Sequence, residues 1–344
     1  VPPLPSGPST DRPTRLLGAG WDAGCSNPPE LWGAERAWTV LNLAGTSHAE
    51  VACFEITDHA SCAEDHAHEW GSSEWTCQRD APPYGPWAAV GLSARDSTDV
   101  RLRHLDIHGL ANAGIRAGRL ADWTLEDVRL AGNGWVGWEG DLGEESSNTG
   151  TLRFSRWVVE WNGCVETWPE EAPAACWAQP AGGYGDGIGT AATGGQGIIE
   201  DSLFRHNTSD GIDLLYASQP GASVEIRRTI SRDNAGDQVK TAGPTRLENV
   251  LAVSHCGFFA DKPFTHRDAQ EGEAVDHCRA GGSAIALNLR REDQATIVNA
   301  TVAGQGDCLI IVECQGGECA GDERVRVRNS IWLGAEAQFG EPDD

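Results

Sequence analysis

A short repeat runs through most of the chain and limits how the chain can fold. Each copy is a brief run rich in β-forming residues, a polar step, a second brief run, and then Asn or Gly. The eight copies are VRLRHLDIHG from position 100, WTLEDVRLAGNG from 123, GTLRFSRWVVEWNG from 150, GIIEDSLFRHN from 197, VEIRRTISRDN from 224, TRLENVLAVSHCG from 245, ATIVNATVAGQG from 295 and VRVRNSIWLG from 325. Where no insertion intervenes, successive copies are about 20 to 30 residues apart, a period typical of solenoids, in which each unit packs on its neighbours.

The pattern within the repeat identifies the kind of solenoid. Apolar and polar residues alternate over short runs, and helical periodicity is weak. Seven apolar positions align between copies: Leu125, Phe154, Ile199, Ile226, Leu247, Ile297 and Val327. Such strands are too short to fold alone, so we expect an all-β, right-handed parallel β-helix with disulfide-tied loops. Four asparagines occupy similar places and should form an internal polar stack: Asn133, Asn162, Asn207 and Asn234.

The repeat also suggests the domain organisation. Residues 1–86 read as an N-terminal extension and capping segment with a disulfide loop, and residues 87–344 as one continuous β-helix. Two insertions interrupt the repeat, at 164–185 and 257–282. Because loops on solenoids line binding faces, these insertions are predicted to form walls of a cleft.

Charge and hydropathy exclude several functions. The chain of 344 residues has 51 acidic and 26 basic side chains, a net charge of −25. A phosphate backbone is bound through basic surface, so nucleic acid is not an expected partner. No apolar run reaches 18 residues, so we expect no membrane span. The Pro-rich start, VPPLPSGPSTDRPTR, suggests a mature N-terminus left after removal of a targeting peptide.

The cysteines point to an oxidising compartment. Eleven are present and none forms a CxxC pair, so we expect disulfides in a secreted, extracellular or periplasmic protein. Local spacing suggests the following partners: Cys53 with Cys62 or Cys77, Cys164 with Cys176, Cys256 with Cys278, and pairing within a cluster of Cys308, Cys314 and Cys319. The odd count leaves one thiol free or intermolecular.

Three consecutive repeats carry a set of acids and a lysine. Asp186 lies in YGDGIGT, Asp210 and Asp213 in TSDGID, and Asp237 and Lys240 in GDQVKTAG. Asp186 and Asp210 are 24 residues apart, and Asp213 and Lys240 are 27 apart. Each interval is one turn of the solenoid, so these side chains should stack on one face. Carboxylates that converge in this way could bind a cation through oxygen atoms.

These three repeats resemble polysaccharide lyase family nine, calcium-dependent β-helix enzymes that cleave uronic-acid polymers. The strings GDGIG, NTSDGID and GDQVK look like three successive motifs of that family. The resemblance implies that Asp186, Asp210 and Asp213 bind Ca²⁺ and that Lys240 is the catalytic base. It covers about 60 residues closely.

One position departs from the family pattern. Ser209 stands where the family has a further aspartate, so one charged ligand is lost. The Ser209 hydroxyl, the Asn207 amide or Asp237 could complete the six to eight oxygens that Ca²⁺ takes.

The expected chemistry is β-elimination on an acidic, uronate-containing polysaccharide. Removing the proton next to a uronate carboxylate develops enolate charge, which a divalent cation can stabilise. Lysine can take that proton only when neighbouring positive charge or desolvation lowers its pKa, so an alkaline optimum is expected. The substrate-binding groups that we expect are Arg205, His206, Arg232, Lys262 and His266.

Several motifs leave alternatives open. The loop DHASCAEDHAHEW offers His59, His66 and His68 either for a transition metal or as a solvated disulfide loop. Four tryptophans could stack on sugars or fill the core: Trp135, Trp138, Trp161 and Trp168.

Two other functions compete with the lyase. Polygalacturonase-like hydrolases have strings similar to NTSDGID, which would make Asp210, Asp213 and Asp237 an acid and base set for inverting hydrolysis. A β-helix that only binds glycans is the other, and in it the lysine would be dispensable. In each case we expect a monomer.

Overall fold

The fold is a parallel β-helix, as the repeat predicts. The computed structural model describes residues 1–33, 37–59, 88–140, 142, 146–166, 168, 171–178, 185–259, 264–266, 282–306, 308–315, 317 and 319–334. Within them, 24 strands join in one sheet, and each pairs in parallel with a strand of a neighbouring turn. No helix in the described part is long and apolar enough to cross a membrane.

The sheet winds through three faces, and one pass over all three makes a rung. The long strands β4 (Ser47–Thr57), β5 (Val90–His108) and β6 (Ala113–Ala131) bend from one face to the next. The remaining strands of the first face are β3 (Thr39–Asn42), β7 (Val136–Glu139), β12 (Ile188–Gly189), β15 (Ile212–Leu214), β18 (Val239–Ala242), β22 (Ile285–Leu289) and β25 (Ile310–Cys314).

The other two faces are built in the same way. The second face adds β1 (Thr14–Leu17), β8 (Thr149–Ser155), β13 (Gln196–Glu200), β16 (Ser223–Arg227), β19 (Thr245–Glu248), β23 (Gln294–Val298) and β26 (Arg324–Arg328). The third face adds β2 (Glu30–Trp32), β9 (Val158–Glu160), β14 (Leu203–Arg205), β17 (Ile230–Arg232), β20 (Leu251–Ser254), β24 (Thr301–Gly304) and β27 (Ile331–Leu333). Among the described residues, short 3-10 helices lie at Trp21–Ala23 and Cys256–Phe259.

The core is a set of apolar columns that run along the helix axis. The seven positions aligned by the repeat are direct register partners on the second face, from Leu125 opposite Phe154 to Ile297 opposite Val327. Leu125, Ile199 and Ile226 are fully buried. The alternation in the sequence therefore predicted the core correctly at six of the seven positions, because residues of one parity in each strand point inward. Val327, on the last described strand of this face, is 44% exposed.

The asparagine stack is also confirmed. From Asn133 to Asn162, Asn207 and Asn234, each Nδ2 donates to the Oδ1 of the next asparagine over 2.8–2.9 Å. Asn234 Nδ2 then donates to Gln238 Oε1 over 2.9 Å, which ends the stack. The four asparagines are buried, so their polar atoms need these partners.

The first described strands belong to the same solenoid as the rest. Strand β1 pairs with β4, and β3 and β4 pair with β5. The proposed boundary between residues 86 and 87 lies outside the described residues.

One predicted disulfide was wrong, and one is confirmed. Cys53 bonds to Cys25 rather than to Cys62 or Cys77, because the pairing of β1 with β4 brings the turn after β1 beside Cys53. Cys164 bonds to Cys176 as predicted.

In the C-terminal cluster, Cys314 bonds to Cys319, and Cys308 is free. The predicted pair of Cys256 and Cys278 lies partly outside the described residues.

The two insertions meet in a small sheet of their own. Strand β10 (Cys164–Glu166) pairs antiparallel with β11 (Pro173–Ala178), and β11 pairs in parallel with β21 (Phe264–His266) of the second insertion. Both insertions leave the helix at the corner between the third and first faces. They are separated by two rungs, and the buried Ala235 on one of these rungs packs in a cluster with Cys164 and Phe259. The small sheet therefore lies over this corner.

Candidate functional site

The predicted acids stack where the third face turns into the first. Asp186, Asp210 and Asp237 each stand two residues before a buried residue of a first-face strand: Ile188, Ile212 and Val239, which are mutual register partners. We call these three acids the aspartate stack, and all are buried. The spacing of one turn therefore brings them to equivalent places on successive rungs.

Backbone N–H groups hold one oxygen of each carboxylate in the aspartate stack. The Oδ1 of Asp186 accepts from Asp210 N at 2.9 Å, and the Oδ1 of Asp210 accepts from Asp237 N at 2.7 Å. Asp237 Oδ1 accepts from Ser283 N at 2.6 Å. Each carboxylate is thus oriented by the rung that follows it.

Lys240 lies at the centre of the acids. It is the register partner of Asp213 on the next rung, and both side chains point outward from the first face. The Lys240 Nζ is 3.2 Å from Asp210 Oδ2, 3.4 Å from Asp213 Oδ2 and 3.9 Å from Asp237 Oδ2. Its side chain is 16% exposed, which leaves it accessible at one edge. In Asp210 and Asp237 the backbone holds Oδ1. The Oδ2 atoms of both residues therefore lie near the same ammonium, that of Lys240.

Three of the carboxylates also fit a cation. One oxygen each from Asp186, Asp210 and Asp213 lies within 4.8 Å of the others. With Asp237 and Lys240 the cluster contains four carboxylates and one ammonium, a net charge of −3 if all are ionised, and three of the carboxylates contact the ammonium. An all-oxygen set of this charge suits a hard divalent cation such as Ca²⁺.

The three further ligands that the sequence offered have different settings. The Asn207 amide belongs to the asparagine stack, where its Oδ1 accepts from Asn162 Nδ2 at 2.9 Å and its Nδ2 donates to Asn234 Oδ1 at 2.8 Å. Asp237 is outside the three-carboxylate group and lies next to Lys240. Ser209 is fully buried, its backbone N–H donates to Gly185 O at 3.1 Å, and its carbonyl accepts from Gly236 N at 2.8 Å.

Two glycines make room for these carboxylates, and sequence reasoning did not single them out. A Cβ at Gly236 would lie 2.1 Å from Asp210 Oδ1, and a Cβ at Gly189 would lie 3.1 Å from Asp186 Oδ2. Gly236 therefore allows the Asp210 side chain to reach the backbone of the next rung. The signal in the sequence is the glycine next to Asp237 in AGDQ.

Three predicted substrate-binding residues lie on the third face or at its end, apart from Lys240. Arg205 pairs with Glu160, with Nη2 2.7 Å from Oε2. Arg232 pairs with Asp233, with Nη1 2.6 Å from Oδ2. His206 Nε2 is 3.7 Å from the same oxygen of Asp233. The structure does not bring these three side chains into the group around Lys240.

His206 is a packing residue in this setting. Its ring stacks on Phe258 with centroids 3.9 Å apart and also contacts Trp161 at 4.7 Å. Burial lowers the pKa of His206, against the opposing effect of Asp233. A neutral imidazole among aromatic rings anchors the start of the second insertion.

The remaining predictions concern the loops. Lys262, His66 and His68 lie outside the described residues, as does the side chain of His266, although the backbone of His266 pairs in β21. His59 stacks between Trp32 at 4.4 Å and Trp168 at 3.8 Å. Its Nε2 contacts Glu30 Oε1.

The tryptophans divide between core and surface. Trp138 is buried and contacts Phe154 edge to face at 5.6 Å. Trp135 and Trp161 are partly buried beside apolar clusters, and Trp168 is 39% exposed.

Comparison with known proteins supports the fold. No family model matches the sequence, and no curated protein matches it. The A-module of the mannuronan C-5 epimerase AlgE4 from Azotobacter vinelandii aligns with a TM-score of 0.50 at 10% identity, over 95% of this chain and 82% of that one.

Two lyases align less closely. An alginate lyase from Paenibacillus sp. str. FPU-7 aligns with a TM-score of 0.41 at 12% identity, over 94% of this chain and 86% of that one. Pectate lyase Pel9A aligns with a TM-score of 0.42 at 10% identity, over 97% of this chain and 75% of that one. The AlgE4 module, at a TM-score of 0.50 and 10% identity, shows a similarity of fold alone.

Proposed function

We propose that this protein is a polysaccharide lyase that cleaves uronic-acid-containing polysaccharide by calcium-assisted β-elimination. The observation that carries the proposal is the position of Lys240 Nζ within 3.9 Å of carboxylate oxygens from two successive rungs, next to a three-carboxylate group. The resemblance to family nine rests on these same residues.

In this proposal each residue has a stated role. Asp186, Asp210 and Asp213 would hold the cation through carboxylate oxygens already grouped within 4.8 Å. When bound, Ca²⁺ would supply positive charge to the substrate carboxylate and stabilise the negative charge that develops as the C5 proton leaves. Asp237 orients Lys240, with its Oδ2 3.9 Å from Nζ.

Lys240 acts as the base at its Nζ. In the neutral form Nζ takes the C5 proton, and the electron pair of the C5–H bond forms the C4–C5 double bond. The glycosidic C4–O bond breaks with its electron pair on the leaving oxygen, which takes a proton from water. The surrounding carboxylates favour the ammonium, and a bound cation would offset their charge. The backbone N–H groups that hold each Oδ1 keep the carboxylates in place while this charge changes.

The geometry favours a lyase over an inverting hydrolase. Inverting hydrolases separate their two carboxyl groups by about 6.5 to 9.5 Å to admit a water molecule. Here Asp210 and Asp213 have oxygens within 4.8 Å of each other, and both contact the same lysine. Such a pair suits cation binding better than an acid and base on opposite sides of a bond.

An exported setting accompanies this function in the proposal. Disulfides at Cys25–Cys53, Cys164–Cys176 and Cys314–Cys319 suit an oxidising compartment, where acidic polysaccharides are found. We further propose that the protein acts as a monomer.

The test is the ultraviolet absorbance of unsaturated uronate ends released from a panel of acidic polysaccharides. We expect product from the wild type with Ca²⁺, none with chelator, and a loss of about 10²- to 10⁴-fold for Lys240→Ala. The matched control is Arg326→Ala, which removes an exposed cation from the second face, away from Lys240. New reducing ends without absorbance would identify a hydrolase instead. Deuterium incorporation at C5 without cleavage would identify an epimerase.

A further inference from the structure

The outward side of the first face carries one row of residues that leads to the proposed site. Strand register places these residues on successive rungs, in the order Ser93, Arg116, Glu139, Gly189, Asp213, Lys240, Ala286 and Ile311. We call this set the outward row. It is the surface along which a ligand could extend from Lys240 parallel to the helix axis.

Two exposed arginines stand at the N-terminal end of this surface. Arg116 belongs to the outward row, and Arg95 lies one rung earlier and two residues beyond the register partner of Arg116. Many of the described arginines are paired with carboxylates, as in Arg153 with Glu200 and Arg156 with Asp127, although some exposed ones on the second face, such as Arg326, are not. Among the described residues, neither Arg95 nor Arg116 has a carboxylate oxygen within 4 Å. Their guanidinium groups are therefore available to an external anion.

The spacing relates these arginines to the proposed chemistry. Arg116 is four rungs from Lys240 along the register, which is about 19 Å at the usual distance between strands. An extended 1,4-linked sugar chain advances per sugar by about the distance between two neighbouring strands, so four sugars span about 19 Å. A polysaccharide with one sugar near Lys240 would therefore place a later carboxylate beside Arg116.

The charged side chains of the outward row end at Lys240, so a charged ligand is expected to extend toward the N-terminal side. On the C-terminal side of Lys240, the outward row continues with Ala286 and Ile311, which are uncharged. With a net charge of −25, the protein repels a polyanion at long range, so local cations must offset that repulsion. Glu139, which is half-buried between Arg116 and the acids, opposes them and sets a limit on the affinity.

We propose that Arg95 and Arg116 form an anion-binding strip that holds carboxylates of a polyuronate chain on the N-terminal side of Lys240. This inference rests on the proposed function for its substrate class and adds the path and minimum length of the substrate. A chain of about five sugars is needed to reach from Lys240 to Arg116.

The test compares long and short uronate oligosaccharides. For Arg116→Ala and Arg95→Ala, we expect KM for hexamers and longer chains to rise about fivefold each at low salt, with kcat unchanged. KM for trimers should not change, because trimers do not reach the strip. In 0.5 M NaCl the difference should disappear. Glu139→Gln should lower KM for long chains. The matched control is Arg326→Ala, which removes an exposed arginine from the second face.

A binding measurement separates failure of the strip from failure of the lyase. Calorimetry with long polyuronate and Ca²⁺ on Lys240→Ala, with and without the two arginine substitutions, does not need catalysis. Weaker binding with both substitutions supports the strip even if no product ever forms. Equal binding with and without them, or no binding at all, overturns the strip and leaves the absorbance assay to judge the lyase.

Discussion

Two stacks of polar side chains run side by side at one corner of this β-helix. In the asparagine stack, each amide donates through Nδ2 and accepts through Oδ1, so neighbours satisfy one another, as between Asn162 and Asn207 at 2.9 Å. In the aspartate stack a carboxylate can only accept. Asp210 therefore takes one donor from the backbone of the next rung and another from Lys240. At the same corner, the asparagine side chains satisfy one another's hydrogen bonds, whereas the aspartate side chains need donors from the backbone or from Lys240.

The stacks also reach in opposite directions along the axis. The Oδ1 of Asn207 accepts from the N–H of the preceding rung, at Asn162, whereas the Oδ1 of Asp186 accepts from the following rung, at Asp210. Asparagine oxygens are all consumed inside the helix. In Asp210 and Asp237 the second oxygens are left to converge on Lys240. A buried amide stack thus supports the fold, and a carboxylate stack can support chemistry.

The largest expected effect comes from placing an aspartate in the asparagine stack. Asn207→Asp removes the donor to Asn234 and places an acceptor-only group in the asparagine stack. We expect the free energy of unfolding to fall by about 3 to 5 kcal/mol, measured by denaturant titration near pH 7.

The reciprocal substitution is the control. Asp210→Asn keeps an oxygen to accept from Asp237 N, so we expect a change of less than about 1 kcal/mol without added cation. Equal destabilisation by both substitutions would remove the distinction between the stacks.

Calcium should stabilise only a protein with an intact aspartate stack. At 100 times the dissociation constant, a cation bound to the folded state adds about 2.7 kcal/mol to the free energy of unfolding. We expect this gain in the wild type, to be measured by thermal or denaturant unfolding with and without Ca²⁺, and its loss in Asp210→Asn. An equal gain in that variant would place the cation elsewhere.

A pH titration should reveal the ion pairs of the buried His108, which lies near the same corner. Burial alone would lower the pKa of His108, but Glu166, Asp106 and Glu55 raise it from 6.5 to about 9. The raised value means that His108 stabilises the fold fully below about pH 6.5 and loses this effect as the pH rises through 9.

We expect the free energy of unfolding to fall by about 3 kcal/mol over this range, because each unit by which the pKa in the folded protein exceeds 6.5 is worth about 1.4 kcal/mol. His108→Gln should flatten the curve, since amides do not titrate. A wild-type profile that stays flat up to pH 9.5 would contradict the assignment.

The smallest effect concerns the space beside Asp210. A Cβ at Gly236 would lie 2.1 Å from Asp210 Oδ1, so Gly236→Ala should displace this carboxylate and weaken Ca²⁺ binding about tenfold, roughly 1.4 kcal/mol. Calorimetric titration with Ca²⁺ measures it. Gly197→Ala is the matched control, because its nearest atom is 3.9 Å away. If both variants bind alike, Gly236 has no part in shaping the site.

The sequence alone determined the architecture and the position of the stacks. A residue's place in a solenoid follows from its offset within the repeat, because each turn packs in register on the one before. For this reason the alignment of Leu125 with Phe154, and of Asp213 with Lys240, could be predicted by counting residues. The asparagine stack followed from the same count.

Only the tertiary structure decided which atoms meet. Counting residues gives the rung but neither the side-chain direction nor the partner, so Arg205 and Arg232 were expected at the substrate and lie instead against Glu160 and Asp233. Cys53 bonds to Cys25 for a similar reason, since the path of β1 is set by pairing with a strand some 35 residues later.

The charge balance around Lys240 was likewise hidden in the sequence. It depends on distances below 4 Å between side chains on neighbouring rungs, and these are fixed by backbone N–H donors to each carboxylate and by the absence of a Cβ at Gly236. Local sequence sets the period of the solenoid, whereas contacts between its turns set the chemistry.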